Sequence, residues 1–176
     1  MRTLNEMLEE INSTIGGSMT YPKTKFWNEA FLQTKGEQTF PLVNNGNQQG
    51  YKISLNDKYA LQCYHRVIDS ETETDPNRGY GSKPYRIRVY TMRMVWLGNL
   101  KKLPAKTYET TDDIKSGVYS WIPVILSGKE TIRTTNENVN KIDVLSEEFE
   151  GVNADHLSLD VIAFYIEYEI RQRIIC

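Results

Sequence analysis

The sequence predicts an α+β fold with a mainly antiparallel sheet carrying an N-terminal amphipathic helix and a central helix, and three observations predict it. Residues 59–69 and 159–171 alternate apolar and polar side chains with the two-residue period of a half-covered strand. Residues 4–15 and 110–122 space their apolar side chains three or four apart instead, the period of a helix with one buried stripe. Turn-forming clusters such as Asn44-Asn45-Gly46-Asn47 join neighbouring β-type runs directly, as antiparallel pairs require.

The first helix places Leu4, Met7, Leu8, Ile11 and Ile15 on one stripe, with Thr3 as N-cap and Glu6 as its capping-box partner. Gly16 and Gly17 are expected to end it. Residues 18–35 mix aromatic and polar side chains around the breaker Tyr21-Pro22, with Phe26, Trp27 and Phe31 as anchors, and fit no single element. Residues 39–43 and 51–55 read as a hairpin with a long tip. In residues 59–69, Leu61, Cys63, His65 and Val67 share one face, and Gln62, Tyr64, Arg66 and Ile68 the other. Residues 70–84 hold Thr, Asp-Pro, Asn and Gly without apolar periodicity and are expected to be an exposed loop.

Residues 85–97 form a long strand partnered by residues 59–69. Arg86, Arg88, Tyr90, Met92, Met94 and Trp96 fall on one side, and Ile87, Val89, Thr91, Arg93, Val95 and Leu97 on the other. A strand of that length is expected to project beyond the core as an arm. The second helix starts at Thr111-Asp112-Asp113 and carries Ile114, Val118, Trp121, Ile122 and Ile125, with Pro123 ending or kinking it at Ile122. Residues 127–140, polar and Asn-rich, are expected to be a second exposed loop, followed by a short run at 142–145. The last strand sets Ile162, Phe164, Ile166, Tyr168 and Ile170 against Glu167, Glu169 and Arg171. There are no internal repeats, and the whole chain reads as a single domain.

Composition narrows the function. The 176 residues are 39% hydrophobic and 25% charged, too apolar for disorder and too polar for a membrane core. The N-terminus lacks the layout of a secretory signal, so synthesis in a cytoplasm without export is expected. A net charge of −2 supplies no global attraction for nucleic acid or anionic lipid. Cys63 and Cys176 are the two cysteines and read as reduced thiols.

Chemistry-bearing patterns are sparse. Cys63 and His65 are two apart on one strand face, and His156 or Asp155 would have to complete a zinc set. A core-facing Cys and a hydrogen-bonded His is the plainer reading, so no metal or cofactor is expected. No Gly-x-Ser-x-Gly turn surrounds any Ser, and Gly79-Tyr80-Gly81-Ser82-Lys83 lacks phosphate-loop spacing and precedes a strand. Asp112, Asp113, Glu147, Glu148, Asp155 and Asp160 fall in runs, which reads as helix capping and surface solvation. No catalytic residue is therefore assigned. One basic, aromatic run stands out: Arg78, Tyr80, Lys83, Tyr85, Arg86, Arg88 and Arg93 form a candidate interaction surface of the kind that single-strand binders use.

The order of elements resembles the tail-terminator and tail-completion (neck) proteins of tailed bacteriophages. It rests on the opening helix Leu4-Asn5-Glu6-Met7-Leu8-Glu9-Glu10-Ile11, the β-rich middle with its insertion at 70–84, the helix near 114–122 and the closing strand at 159–171. Residues 18–35 fall outside that pattern. The resemblance implies a virion protein that self-associates into a ring against portal, neck or tail neighbours, has no catalytic residues, and lets DNA pass through a channel. The basic run would line that channel or pair with an acidic neighbour. The eleven tyrosines suit an interface, since each gives a large contact area with a polar tip. A cellular adaptor and a small enzyme using His65 or His156 beside a carboxylate are the alternatives.

Overall fold

The computed structural model describes residues 1–19, 23–44, 50–54, 58–74, 86–103, 111–150 and 160–174. Helix α1 (Leu4–Ser18) opens the chain. Strands β1 (Thr24–Lys35), β2 (Gln38–Asn44) and β3 (Gly50–Lys52) follow, then β4 (Leu61–Thr74) and β5 (Arg86–Asn99). A 3-10 turn at Leu100–Lys102 comes next. Helix α2 (Thr111–Trp121), strand β6 (Thr131–Asn138), helix α3 (Lys141–Glu148) and strand β7 (Val161–Ile174) complete the order. The fold is α+β. One seven-stranded sheet runs β3-β2-β1-β4-β5-β7-β6, and every neighbouring pair is antiparallel except β1 with β4.

The cap of α1 forms as its residues dictate. The Thr3 hydroxyl accepts from the Glu6 N–H, and the Glu6 carboxylate accepts from the Thr3 N–H at 2.6 Å. These bonds from Thr3 hold the Glu6 carboxyl below its ordinary range. The helix does not stop at Gly16. It continues to Ser18, and Gly16 lies against Phe26, where an added Cβ would sit 3.3 Å from the ring. Gly16 therefore sits where an added Cβ would press on β1, while Gly17 has no neighbour within 4 Å of such a Cβ.

Two cores flank the sheet. On one face α1 and α2 set Met7, Leu8, Ile11, Ile15, Ile114 and Val118 over Cys63, Met92, Met94, Trp96, Phe164 and Ile166. Each of these buried aliphatic side chains contributes roughly 1.5–3 kcal/mol. On the other face α3 contributes Val144 and Leu145, and the β1–β3 segment contributes Ala30, Phe40 and Val43, over Tyr64, Val95, Leu97 and Tyr165. The alternation expected for the strands at 59–69, 85–97 and 159–171 decides which side chain joins which core, and β4 and β5 pair as the pattern requires.

Three expected loops or gaps are ordered elements. Residues 24–35, left unassigned, form β1. Residues 70–74, expected in the exposed loop, extend β4, and the rest of that loop from 75 to 84 lies outside the described residues. Most of the second expected loop is β6, an edge strand in which Ile132 is the one fully buried side chain. The short run at 142–145 belongs to the helix α3, and α2 ends at Trp121, one residue before the expected stop.

Candidate functional site

Three constellations stand out once the sheet is built: a buried polar chain under α1, an ion-pair cluster under α3, and two open sheet edges.

The chain under α1 centres on His65, fully buried at mid-strand in β4. Its Nε2 donates to Asn12 Oδ1 at 2.8 Å, and the Tyr168 hydroxyl donates to its Nδ1 at 2.7 Å. Asn12 passes its own two donors to the Trp27 carbonyl and to Asn28 Oδ1, both at 3.2 Å. Burial drives the imidazole down to about 3, so it stays neutral, and burial also raises the Cys63 thiol. The plainer reading of Cys63 and His65 holds: both face the core, and both ring nitrogens are occupied. His156, Asp155 and Cys176 lie outside the described residues. Among those described, no group of three or more metal-ligating side chains converges.

The cluster under α3 joins side chains that the sequence assigned to separate surfaces. Glu148 is fully buried, contrary to the solvated carboxylate expected of it. Its Oε1 accepts from Arg66 at 2.7 Å, its Oε2 accepts from the Tyr64 hydroxyl at 2.9 Å, and Arg93 lies 3.4 Å away. Arg93 also pairs with Glu147 and, at 2.7 Å, with Glu167, while its guanidinium stacks 3.8 Å over the Tyr165 ring. Burial alone would favour a neutral Arg93, but the bonds to Glu167 and Glu147 outweigh it and raise the pKa above the ordinary arginine value. This cluster clamps the C-terminal end of α3 to β4, β5 and β7. It explains why a short helix, whose isolated form would be marginal, holds its place.

The basic run is divided. Arg78, Tyr80, Lys83 and Tyr85 lie outside the described residues. Arg86 is exposed and Arg88 half-buried on the α1 face at the far end of β5, opposite Thr74 and Thr72 of β4. Arg93 sits on the opposite face, committed to Glu147, Glu148 and Glu167. What remains of the candidate surface in view is therefore Arg86 and Arg88.

The arm expected from the length of β5 does not form: the far end of β4 is exposed, but Val89 of β5 and Ile170 and Gln172 of β7 beside it are buried. β1 pairs with β4 only as far as His65, and beyond it no described strand covers the outer side of β4. That open edge carries Asp69, Ser70, Glu71 and Thr72, all exposed, with Ile68 bulged out beside it. The opposite flank of the sheet is β6. The turn after α2 covers its first residues, since Ile132 N–H donates to the Val124 carbonyl, and from Arg133 onward its outer side is open among the described residues. Val124 and Ile125 stand exposed beside it, at 71% and 63%. Sequence reasoning missed both edges. Thr, Ser and Asn dominate them, and strands of that composition carry almost no apolar signal.

A cleft of about 690 Å³ opens near the N-terminus, lined by Arg2, Lys129, Glu130, Arg171, Gln172 and Arg173 among others. Two of its cations are engaged, Arg2 with Glu10 and Glu130, and Arg171 with Glu73 and Glu169. His65 is not among its walls.

No protein-family model matches this chain, and no curated protein matches it in sequence. No helix among the described residues is long and apolar enough to cross a membrane.

Proposed function

We propose that the chain is a structural virion protein of a tailed phage, forming a homo-oligomeric ring at the head–tail neck or the tail-terminator position. The observation that carries this reading is the pair of edges, open among the described residues, on opposite flanks of one sheet. A contact between two different patches of the same molecule is heterologous, and it closes into a ring where its repeated rotation returns to the starting copy. Exposed Ile68 beside one edge, and Val124 and Ile125 beside the other, supply apolar area for such a contact.

The order of elements supports the phage assignment. At the far end of the β4–β5 pair, Arg86 and Arg88 share a face with Ser70, Thr72, Thr74 and Tyr90, without a carboxylate on the paired positions. That surface suits passing phosphates, which basic side chains hold without regard to sequence.

The test is immunogold labelling of virions from a producing host. A single labelled collar at the head–tail junction is expected. Absence of the protein from purified virions overturns the assignment.

A further inference from the structure

We infer that the cleft beside Arg2 and Lys129 is a docking site for the C-terminal end of a partner polypeptide, taking its free carboxylate together with an amide N–H next to it. The inference is independent of the ring reading.

The cleft is built by three elements meeting at one end of the sheet. Thr131 of β6 pairs with Arg171 of β7, which brings Lys129, just before β6, to the same place as Gln172. Arg2 closes the third side. Its carbonyl accepts from Gln172 Nε2 at 2.9 Å, and its guanidinium reaches Glu10 at 2.6 Å and Glu130 at 3.3 Å. At about 690 Å³ the space falls within the range of pockets that enclose a small ligand.

Two groups in its wall are unmet. Gln172 is 3% exposed, and its Oε1 is buried without a hydrogen bond. A buried acceptor left unpaired is costly, and a ligand N–H that reaches it removes the cost. Lys129 is exposed and has no ion pair among the described residues. Its backbone is left-handed, at φ 69°, in a turn where its N–H donates to the Leu126 carbonyl. Glycine fills such a position without steric cost, yet here the glycine stands one residue earlier. At Gly128 an added Cβ would fall 2.5 Å from both Glu130 carboxylate oxygens and 2.7 Å from Arg2 Cδ. The turn therefore holds a strained lysine on the wall of the cleft, and strain of this kind gathers at ligand sites.

The remaining charges are engaged. Glu130 faces Arg2, Arg171 is held by Glu73 and Glu169, and Arg173 is not free. What the cleft lacks is one anion and one N–H donor, and a polypeptide C-terminus carries both within a single residue. A nucleotide also offers an anion and N–H groups, but no aromatic side chain among the described residues lines the cleft to stack its base. Ile87 gives the last side chain of a peptide an apolar wall instead.

Capture from a defined peptide mixture tests the proposal. The immobilised full chain is offered N-acetylated peptides randomised at their last positions, each made once with a free carboxylate and once as the C-terminal amide, and the retained peptides are read by mass spectrometry. Free acids are expected to be retained at least about tenfold over their amides. Lys129→Gly should abolish that preference while the Tm holds or rises, because glycine relieves the left-handed backbone. Gln172→Met, which removes the acceptor, should lower retention of acids and amides alike. Equal retention of acids and amides, retention of neither, or an undiminished preference in Lys129→Gly would overturn the proposal. Displacement of the acids by adenosine 5′-monophosphate at a lower concentration than by N-acetylalanylalanine would overturn it in favour of a nucleotide site.

Discussion

Tyr168 and His65 meet in the middle of the sheet, the tyrosine hydroxyl donating to the imidazole Nδ1 at 2.7 Å with both side chains fully buried. The bond requires a neutral imidazole to accept it, and burial enforces that state by lowering the ring to about 3 from its ordinary 6.5. Between those values the unfolded chain binds a proton that the folded chain refuses. His65 therefore contributes stability that is complete above about pH 6.5 and is lost as the pH falls toward 3, at about 1.4 kcal/mol per pH unit. Urea midpoints from pH 7 to 4 should fall for the wild type and fall less steeply for His65→Gln. Equal slopes would show that the imidazole is not held neutral by the fold.

Tyr168→Phe keeps the ring and removes the donor, leaving a buried imidazole nitrogen unpaired. A loss of about 1–3 kcal/mol is expected from equilibrium denaturation, with the far-ultraviolet dichroism unchanged.

Glu148→Ala should cost more. It strands Arg66 and the Tyr64 hydroxyl in a pocket built for a carboxylate, while Arg93 keeps Glu147 and Glu167. Removing one partner of a buried pair costs roughly 3–5 kcal/mol. Because the cluster holds α3, hydrogen exchange should accelerate first over Lys141–Glu148. Uniform acceleration across the sheet would argue that α3 is held by Val144 and Leu145 alone.

Gly98→Ala tests the packing where β4 and β5 approach. An added Cβ would sit 2.5 Å from Leu61 Cδ2 and 2.7 Å from the Ala60 carbonyl oxygen, and the backbone atom has no room to retreat. About 1–3 kcal/mol of destabilisation is expected from overpacking, read as a lowered Tm.

The central strands and both long helices were legible because burial wrote a period into them. Phe164, Ile166 and Tyr168 on β7, or Met7, Leu8 and Ile11 on α1, can be assigned from spacing alone. β6 was not legible, because an edge strand needs few buried positions and Ile132 supplies the full burial. The extension of β4 was hidden for the same reason: residues 70–74 are polar on both faces and are held as a strand by pairing with β5, a long-range contact that local composition does not encode. Gly16 misled because glycine serves a close approach as readily as a helix end. In the basic run, alternation already placed Arg93 opposite Arg86 and Arg88. What the sequence could not show was Glu148, whose burial depends on α3 folding back over Arg66 and Arg93.

Arg86→Glu with Arg88→Glu bears on the channel. Both positions lie at the far end of β5, where Arg86 is exposed and Arg88 only half-buried, so stability should change by less than about 0.5 kcal/mol. In the phage, DNA passage should fall while the subunit still folds. Unchanged assembly and ejection would remove these arginines from the account.

The ring itself is tested most directly by the mass of the purified protein across a concentration series, measured by light scattering after size exclusion. Two open edges on opposite flanks predict a discrete closed oligomer whose mass is a fixed multiple of the 20.4 kDa chain and does not grow further with concentration. A monomer at every concentration would contradict it.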